Sequence, residues 1–314
     1  MLSTEVVNLQ DGCKGKASSQ GAFNSTRFRF SVIVPVYDQW NLVGHLLARL
    51  ERQTFPRQKF EVILVDNGSE KPIPTYEANL NLRLYECCEP GSYSARSLGV
   101  MHSQGEWLAF TDADCLPESD WLERINNSIS RYNDEKLLVA GDVEVASSRQ
   151  CLSAYEIYDI VKGICQSKYV ERGYAATANL TISKNFFLDV GGFNTSLFSG
   201  GDVDLCGRAA AGGASLIFLE EARVYHPARS TWQEVKVKAR RIKGGEINRS
   251  TGFGLLMVVV RSIMPPVNAI GILLRRKRHR VKHRFIAAII QLRIYGVELI
   301  ELIKILCKFP AERR

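Results

Sequence analysis

Two aspartates separated by one residue, Asp112 and Asp114, follow a short apolar run at residues 107–110. Side chains two positions apart on an extended segment point to the same side, so both carboxylates would face one place. At about 4 Å, two such charges repel by roughly 4 kcal/mol at an effective dielectric constant near 20. A hard cation such as Mn²⁺ or Mg²⁺ would neutralise the pair and leave positions for phosphate oxygens. Alternatively, one aspartate caps a helix that begins near Glu118 and the other is solvated.

A second acidic pair, Asp202 and Asp204, follows Gly200 and Gly201 at the start of a segment with helical spacing. Acidic residues in a first helical turn often serve the helix dipole and the cap, and we predict this role for Asp204. Asp202 comes directly after the two glycines, which allow the backbone to approach a ligand closely. We therefore predict a catalytic role for Asp202.

The elements that must position these carboxylates are short strands alternating with helices. The apolar patterns predict strands at residues 30–36, 60–65, 82–85 and 106–111, and helices at residues 41–53 and 92–102. This alternation predicts an α/β fold with a mostly parallel sheet. Ligands of such sheets bind beyond the carboxyl ends of the strands. Three of the predicted strands have a cluster with polar residues at that end, at residues 35–38, 66–69 and 112–114.

The charge of the chain is divided unevenly. From Arg223 to the end there are 21 basic and 5 acidic residues, a net +16, whereas the rest of the chain carries a net −8. Such a basic end favours a polyanion or an anionic membrane as partner. Without aromatic interleaving or a base-reading module, we expect no nucleic-acid partner. The eight scattered cysteines predict reduced thiols in a cytosol, and the polar residues 1–29 predict a loose tail rather than a signal peptide.

The basic end also contains two apolar segments. Residues 253–274 are mostly apolar but include Arg261 and two prolines, residues 275–284 carry a run of cations, and residues 285–309 form an apolar predicted helix. The polar residues of that helix form a narrow stripe: Gln291, Glu298, Glu301, Lys304 and Lys308. We predict an interfacial anchor on an anionic membrane surface. The alternatives are packing on the rest of the chain, a dimer contact, or a first helix that spans the bilayer.

Seven segments, taken in chain order, resemble a known family. They are SVIVPVYDQ, VILVDNGS, GSYSARSLGV, GEWLAFTDAD, NLTISKNFFLDVGGFN, GGDVDLCGRA and VYHPARS. Together they resemble the family 2 glycosyltransferases of the GT-A fold over about residues 30–250. The resemblance implies a Rossmann-like, mostly parallel sheet flanked by helices in that region. Residues 1–29 would then be a flexible tail, and residues 251–314 a basic, apolar helical appendage that associates with a membrane.

The resemblance also implies a set of donor-binding residues. The side chains expected to bind the nucleotide sugar are Pro35, Tyr37, Asp38, Asp66, Arg96 and Asp112. Asp112 and Asp114 are expected at a divalent metal, Mn²⁺ or Mg²⁺, with His226 as a third ligand. Three of these positions keep an alternative: Tyr37 as a packing aromatic, Asp66 in an Asx turn, and His226 as a structural residue.

The acceptor side is implied in the same way. Asp202 matches the proposed general base, which takes the proton of the acceptor hydroxyl as its oxygen attacks the anomeric carbon. Attack from the face opposite the diphosphate inverts that carbon. Gly201 stands where many members carry Glu, and Asn179 is a further acceptor-side candidate. Gly191 and Gly192 resemble the turn before the acceptor loop, and they would equally serve a tight turn.

The expected activity is metal-dependent transfer of a single sugar from a UDP-linked donor. The Gln-x-x-Arg-Trp motif of the family's processive synthases is absent from the sequence. The expected acceptor is a glycan or lipid-linked precursor of the cell envelope, used by a cytoplasmic protein held on the inner face of the membrane. The alternatives are a Mg-dependent nucleotidyltransferase and a non-catalytic binding or scaffold protein with the same fold. The nucleotidyltransferase would need a Gly-rich, Lys- or Arg-bearing loop after the first strand, which VPVYDQWN lacks.

Overall fold

The structure is a computed structural model that describes residues 5–6 and 28–309. The predicted loose tail at residues 1–29 therefore lies almost entirely outside the described residues. The described strands are β1 (Glu5–Val6), β2 (Phe28–Val36), β3 (Phe60–Asp66), β4 (Leu82–Glu86), β5 (Gly105–Thr111), β6 (Leu116–Pro117), β7 (Leu137–Ala146), β8 (Asn179–Ser183) and β9 (Ser215–Pro227). The described helices are α1 (Trp40–Glu51), α2 (Ser92–Met101), α3 (Trp121–Tyr132), α4 (Ala154–Lys162), α5 (Gln166–Val170), α6 (Lys184–Asp189), α7 (Gly201–Ala211), α8 (Trp232–Asn248), α9 (Gly252–Ile263), α10 (Val267–Leu274) and α11 (Val281–Leu306).

The chain divides into two compact units, which are described separately. The first contains the described residues of Met1–Val143, Cys165–Thr195 and Gly201–Tyr225. The second contains those of Glu144–Ile164, Ser196–Gly200 and His226–Arg314. The domain boundary predicted at residue 250 stays a prediction.

One sheet with the strand order β1-β4-β3-β2-β5-β8-β7-β9-β6 organises the first unit. The pairs from β1 to β5 are parallel, whereas β8 runs antiparallel to both β5 and β7. β3 is buried at every position, as expected for a strand covered on both faces. All four predicted strands are confirmed as β2 to β5, and β2, β3 and β5 are neighbours whose carboxyl ends meet at one edge.

Helices of the first unit cover this sheet through apolar faces. In α1 the buried residues Val43, Leu46, Leu47 and Leu50 recur at the spacing of one helix face. The two helices predicted first are confirmed as α1 and α2. The helix predicted after Gly200 is confirmed as α7, which ends at Ala211, directly before Gly212 and Gly213. The helix predicted near Glu118 begins at Trp121 as α3.

The second unit is helical around a core shared by α4, α8, α10 and α11. The long helix α11 packs against α4 and α8, and Ile157, Val235, Leu273 and Ile294 meet in this core. The predicted apolar segment 253–274 is two helices, α9 and α10, which bend by 61° at their break. Within the described residues, no one helix has the length and apolarity to cross a membrane, although α9 and α10 together meet that criterion by length and composition.

Candidate functional site

The turns after β2 and β3 are tied together by side-chain hydrogen bonds. Asp38, with a φ of 53°, accepts the backbone N–H of Glu70 at 2.8 Å through Oδ1. Its own N–H donates to Ser69 Oγ at 2.9 Å. Pro35 lies in β2 in register with Val65, one residue before the end of the strand. The two loops are therefore fixed to each other at the edge where ligands of parallel sheets bind.

The carboxylate of Asp66 is occupied by hydrogen bonds from its own turn. Oδ2 accepts the N–H groups of Gly68 and Ser69, each at 3.1 Å, which forms the Asx turn foreseen as an alternative role. Oδ1 accepts Trp40 Nε1 at 3.2 Å and the hydroxyl of Ser69. These four donors match the number that a carboxylate can accept. Asp66 thus orders the loop, while its contact with a nucleotide base stays a prediction.

Arg96 and Asp112 form an ion pair inside the site. Arg96 lies on α2 with only 3% of its surface exposed, and its Nη2 donates to Asp112 Oδ1. Its Nε has no hydrogen-bond partner among the described residues. A buried guanidinium N–H without an acceptor is costly, so the position favours a ligand that offers an oxygen.

The two aspartates of the D-x-D segment converge as predicted. One oxygen from each of Asp112 and Asp114 lies with Cys115 Sγ in a group whose atoms are all within 4.8 Å of one another. Gln39 Nε2 donates to Asp114 Oδ2 at 3.3 Å. Burial raises the pKa of the Cys115 thiol well above its ordinary value, so the sulfur stays protonated. Two carboxylates without a thiolate fit a hard cation such as Mn²⁺ or Mg²⁺ better than zinc.

Asp202 lies in the first turn of α7 beside a tyrosine of α2. Tyr93 Oη donates to Asp202 Oδ1 at 3.4 Å, and the N–H of Asp202 donates to Tyr93 Oη at 3.4 Å. Burial raises the pKa of the Asp202 carboxyl, and a carboxylate with a raised pKa is a stronger base. Because Tyr93 and Arg96 are one turn apart on α2, this helix contacts both Asp202 and Asp112.

The neighbouring acidic residue and the glycine turn have structural roles. Asp204 pairs with Arg208 at 2.7 Å, four residues along α7. Arg208 also donates to the carbonyls of Val190 and Gly192, which holds the turn before Phe193. Gly191 and Gly192 have φ values of 83° and 63°, the left-handed region in which glycine is favoured. These structural roles therefore explain why Asp204, Gly191 and Gly192 occupy their positions.

Two predicted site residues, Asn179 and His226, have polar contacts with other protein groups. Asn179 is 1% exposed, donates to the carbonyls of Asp142 and Ala222, and accepts Trp121 Nε1 at 2.9 Å. These bonds use both N–H groups of the amide and one of the two lone pairs of its oxygen, so its acceptor-side role stays a prediction that the geometry does not favour. His226 belongs to the second unit, where a ring nitrogen lies 2.8 Å from the carbonyl oxygen of Pro227. Its role as a third metal ligand stays a prediction.

The sequence did not predict the residues that contact and orient the predicted site carboxylates. Tyr93, Gln39 and Trp40 each contact a predicted site carboxylate. Tyr93 stood inside the GSYSARSLGV segment, three positions before Arg96. That i, i+3 spacing on a predicted helix was the available signal that both side chains share a face.

A family model identifies the family to which the chain belongs. The model described as "Glycosyl transferase family 2" matches residues 31–193, about half of the chain. The chain belongs to glycosyltransferase family 2. It is 37% identical over 222 residues to glycosyltransferase AglE of Haloferax volcanii, covering 68% of this chain and 72% of that protein. It is also 26% identical over 213 residues to the pre-mycofactocin glycosyltransferase of Mycobacterium tuberculosis, covering 64% of this chain and 43% of the relative.

Solved structures show the GT-A fold of this family 2 chain. The mannosyltransferase PcManGT from Pyrobaculum calidifontis, in complex with GDP-Man and Mn²⁺, superimposes with a TM-score of 0.56 at 18% identity, covering 89% of this chain and 87% of that one. TarS 1–349 from Staphylococcus aureus, in complex with UDP-GlcNAc, gives 0.52 at 16% identity, covering 90% and 92%. The predicted fold class is confirmed.

Proposed function

We propose that this family 2 glycosyltransferase moves one sugar, with inversion, from a UDP-linked donor to a hydroxyl of a glycan or lipid-linked acceptor. The observation that carries the proposal is the meeting of α2 with carboxylates from two distant segments, Asp112 and Asp202. Asp112 is suited to the donor side and Asp202 to the acceptor side. The solved neighbours with UDP-GlcNAc or GDP-Man are consistent with a nucleotide sugar.

On the donor side, Asp112 and Asp114 would hold Mn²⁺ or Mg²⁺. The cation, when bound, supplies positive charge next to the diphosphate as negative charge develops on the departing nucleotide. Arg96 binds a phosphate or base oxygen through its unpartnered Nε while its other end keeps Asp112 in place. Pro35, Tyr37 and Asp38 would line the nucleotide side of the loops, next to Asp66, whose turn is bonded to Asp38 through Ser69.

On the acceptor side, Asp202 takes the proton of the attacking hydroxyl. The acceptor oxygen then forms a bond to the anomeric carbon as the bond from that carbon to the diphosphate oxygen breaks, and the electron pair leaves with the nucleoside diphosphate. The burial that raises the pKa of Asp202 makes it a better proton acceptor. The absent synthase motif supports transfer of a single sugar.

A donor panel with Mn²⁺ tests this activity directly. UDP-sugars should release UDP with the purified protein, GDP-mannose should give less, and no release from any donor would favour the non-catalytic scaffold. Asp202→Asn should bind donor normally while stopping transfer. Asp204→Asn is the matched control on the same helix, because Asp204 pairs with Arg208. Normal transfer by Asp202→Asn would overturn the base assignment.

The second unit supports a further proposal, that the protein is cytoplasmic and lies on the anionic inner face of a membrane. Large apolar residues are exposed on α9 and α11 and recur on one face of each helix: Phe253, Leu256, Met257, Val260, Phe285, Ile289, Leu292, Ile300 and Ile303. Exposed cations follow in the chain from the end of α10 to the first turn of α11, at Arg275, Lys277, Arg278, Arg280 and Lys282. An apolar face beside cations fits an anionic lipid surface.

Point substitutions test this better than deletion of the segment, because α11 supplies part of the core of its unit. Phe253, Leu256 and Val260 changed together to Ser should weaken co-sedimentation with vesicles containing phosphatidylserine about a hundredfold, at roughly 1 kcal/mol per side chain. The control changes Met101 and Leu188, exposed apolar residues of the first unit, to Ser. Equal binding by the triple variant and the control would contradict the membrane proposal.

A further inference from the structure

Gly201 and Tyr93 fit together so closely that no larger side chain has room at position 201. A Cβ placed on Gly201 would lie 2.8 Å from Tyr93 Cε2 and 2.9 Å from Cδ2. Side-chain carbons do not approach an aromatic ring at such distances, so the ring would have to move. The flexibility of glycine is not the reason for this residue, because the ring occupies the space instead.

A second aromatic residue also packs against the ring of Tyr93. Phe193 packs against it with ring centroids 5.3 Å apart, and Phe193 packs in turn on Phe110 of β5 at 5.1 Å. Arg96 lies 5.8 Å from the centroid of the Tyr93 ring. Tyr93 is 6% exposed, so few positions are open to its hydroxyl. The packing thus fixes the hydroxyl where it meets Asp202.

We propose that Tyr93, seated against Gly201, is the positioning residue for Asp202, and this inference rests on the proposed role of Asp202 as the base. The tyrosine hydroxyl bonds to both the carboxylate and the backbone N–H of Asp202. The N–H of Val203 donates to the same carboxylate oxygen at 3.0 Å, and together with the tyrosine hydroxyl it sets the direction of the carboxylate at the start of α7. A misdirected base loses much of its effect, because proton transfer requires hydrogen-bond geometry.

The hydroxyl also affects the charge state of the base. The titratable and charged groups facing Asp202 come from three segments: Tyr93 and Arg96 on α2, Tyr169 and Tyr174 in and after α5, and Cys206 on α7. Burial raises the pKa of Asp202, while the backbone N–H of Val203, Arg96 and the Tyr93 hydroxyl lower it. Burial also raises the pKa of Tyr93, so its hydroxyl remains a donor across the working range of pH.

Tyr93→Phe is the decisive variant, because it keeps the ring and removes only the hydroxyl. Loss of a donor to the carboxylate raises the pKa of Asp202, so the acidic limb of the kcat profile should move to higher pH. At the acidic end kcat should fall about tenfold, with the donor KM unchanged. Carboxyl ¹³C NMR of Asp202 in the metal-free protein gives the same pKa shift without relying on activity.

Tyr169→Phe is the matched control. It removes the hydroxyl of a half-buried phenol near Asp202. An un-ionised phenol adds no charge, so neither the NMR titration of Asp202 nor the acidic limb should move. Equal shifts in both variants would assign the effect to general polarity and overturn the proposal.

Gly201→Ala tests the close packing. It should displace the ring and lower kcat as Tyr93→Phe does, and it should have little effect when Tyr93 is already Ala. Additive effects would contradict the pairing.

If Asp202→Asn stops transfer but Tyr93→Phe leaves both titrations unchanged, the positioning role fails while the base assignment stands. If Asp202→Asn transfers normally, the base assignment itself fails, and the NMR titration still reports on the contact.

Discussion

The two compact units differ in what they bury and what they expose. In the first, apolar strands are buried and carboxylates gather at the strand ends, where neighbouring side chains hold them. In the second, α11 buries Gln291 and Glu301 and exposes Phe285, Ile289 and Ile303. A rim of carboxylates suits a polar ligand with a cation, whereas an exposed apolar helix face suits an apolar partner. We therefore propose different partners for the two surfaces.

The largest effect should come from the carboxylate rim. Asp114→Ala removes one of the two proposed metal ligands, and a bound cation contributes several kcal/mol to charge stabilisation. We expect Mn²⁺-dependent nucleotide release to fall about a thousandfold. Asp189→Ala, an exposed aspartate of the same unit, is the control. Activity retained by Asp114→Ala would remove the basis for a polar, cation-bearing rim.

The next effect separates the two faces of α11. Ile294 is 1% exposed and Ile289 is 59% exposed, on the same helix. Ile294→Ala should lower the free energy of unfolding by about 2–5 kcal/mol, whereas Ile289→Ala should change it by less than about 0.5 kcal/mol. Urea unfolding without lipid measures both. Vesicle binding should reverse the order, with Ile289→Ala the weaker binder, and the same order in both assays would contradict the apolar-partner interpretation.

A smaller effect tests the buried polar contacts of the second unit. Tyr158 donates to Gln291 Oε1 at 2.9 Å within the helical core. Tyr158→Phe leaves that amide oxygen without its donor and should cost about 1–3 kcal/mol of stability. Replacing Gln291 by Leu in the same variant should recover part of the loss. If the Gln291→Leu substitution lowers the stability further instead, the shape of the side chains matters more here than the hydrogen bond.

The smallest effect concerns Asp202 and pH. Its pKa is raised in the native state, so the native state is favoured where the carboxyl is protonated, and this contribution is lost as the pH rises through that pKa. Asp202→Asn should therefore raise the melting temperature at neutral pH. The gain should shrink toward pH values below the ordinary pKa of 3.8. Melting curves with a chelator present measure this, and a gain independent of pH would exclude a charge effect.

Much of the fold followed from local patterns. The four predicted strands are present because short β-branched runs between turn residues have few other stable conformations. The antiparallel β8 and the pairing of β6 with β9 were not predictable, because they depend on long-range register rather than on composition. The polar stripe of α11 was predicted from spacing, but that Gln291 and Glu301 face inward depends on the partners that Tyr158 and Arg240 offer.

For the site, the sequence by itself determined which side chains could do chemistry: Asp112 and Asp114 two positions apart after a strand, and Asp202 at a helix start. A carboxylate is required for those roles, and strand periodicity already places the first two together. Only the tertiary structure decided how these groups are held. Arg96 pairs with Asp112, 16 residues along the chain, and Tyr93 contacts Gly201 and Asp202, more than a hundred residues away. Such contacts depend on how the helices pack on the sheet. The spacing of residue types along the chain does not predict that packing.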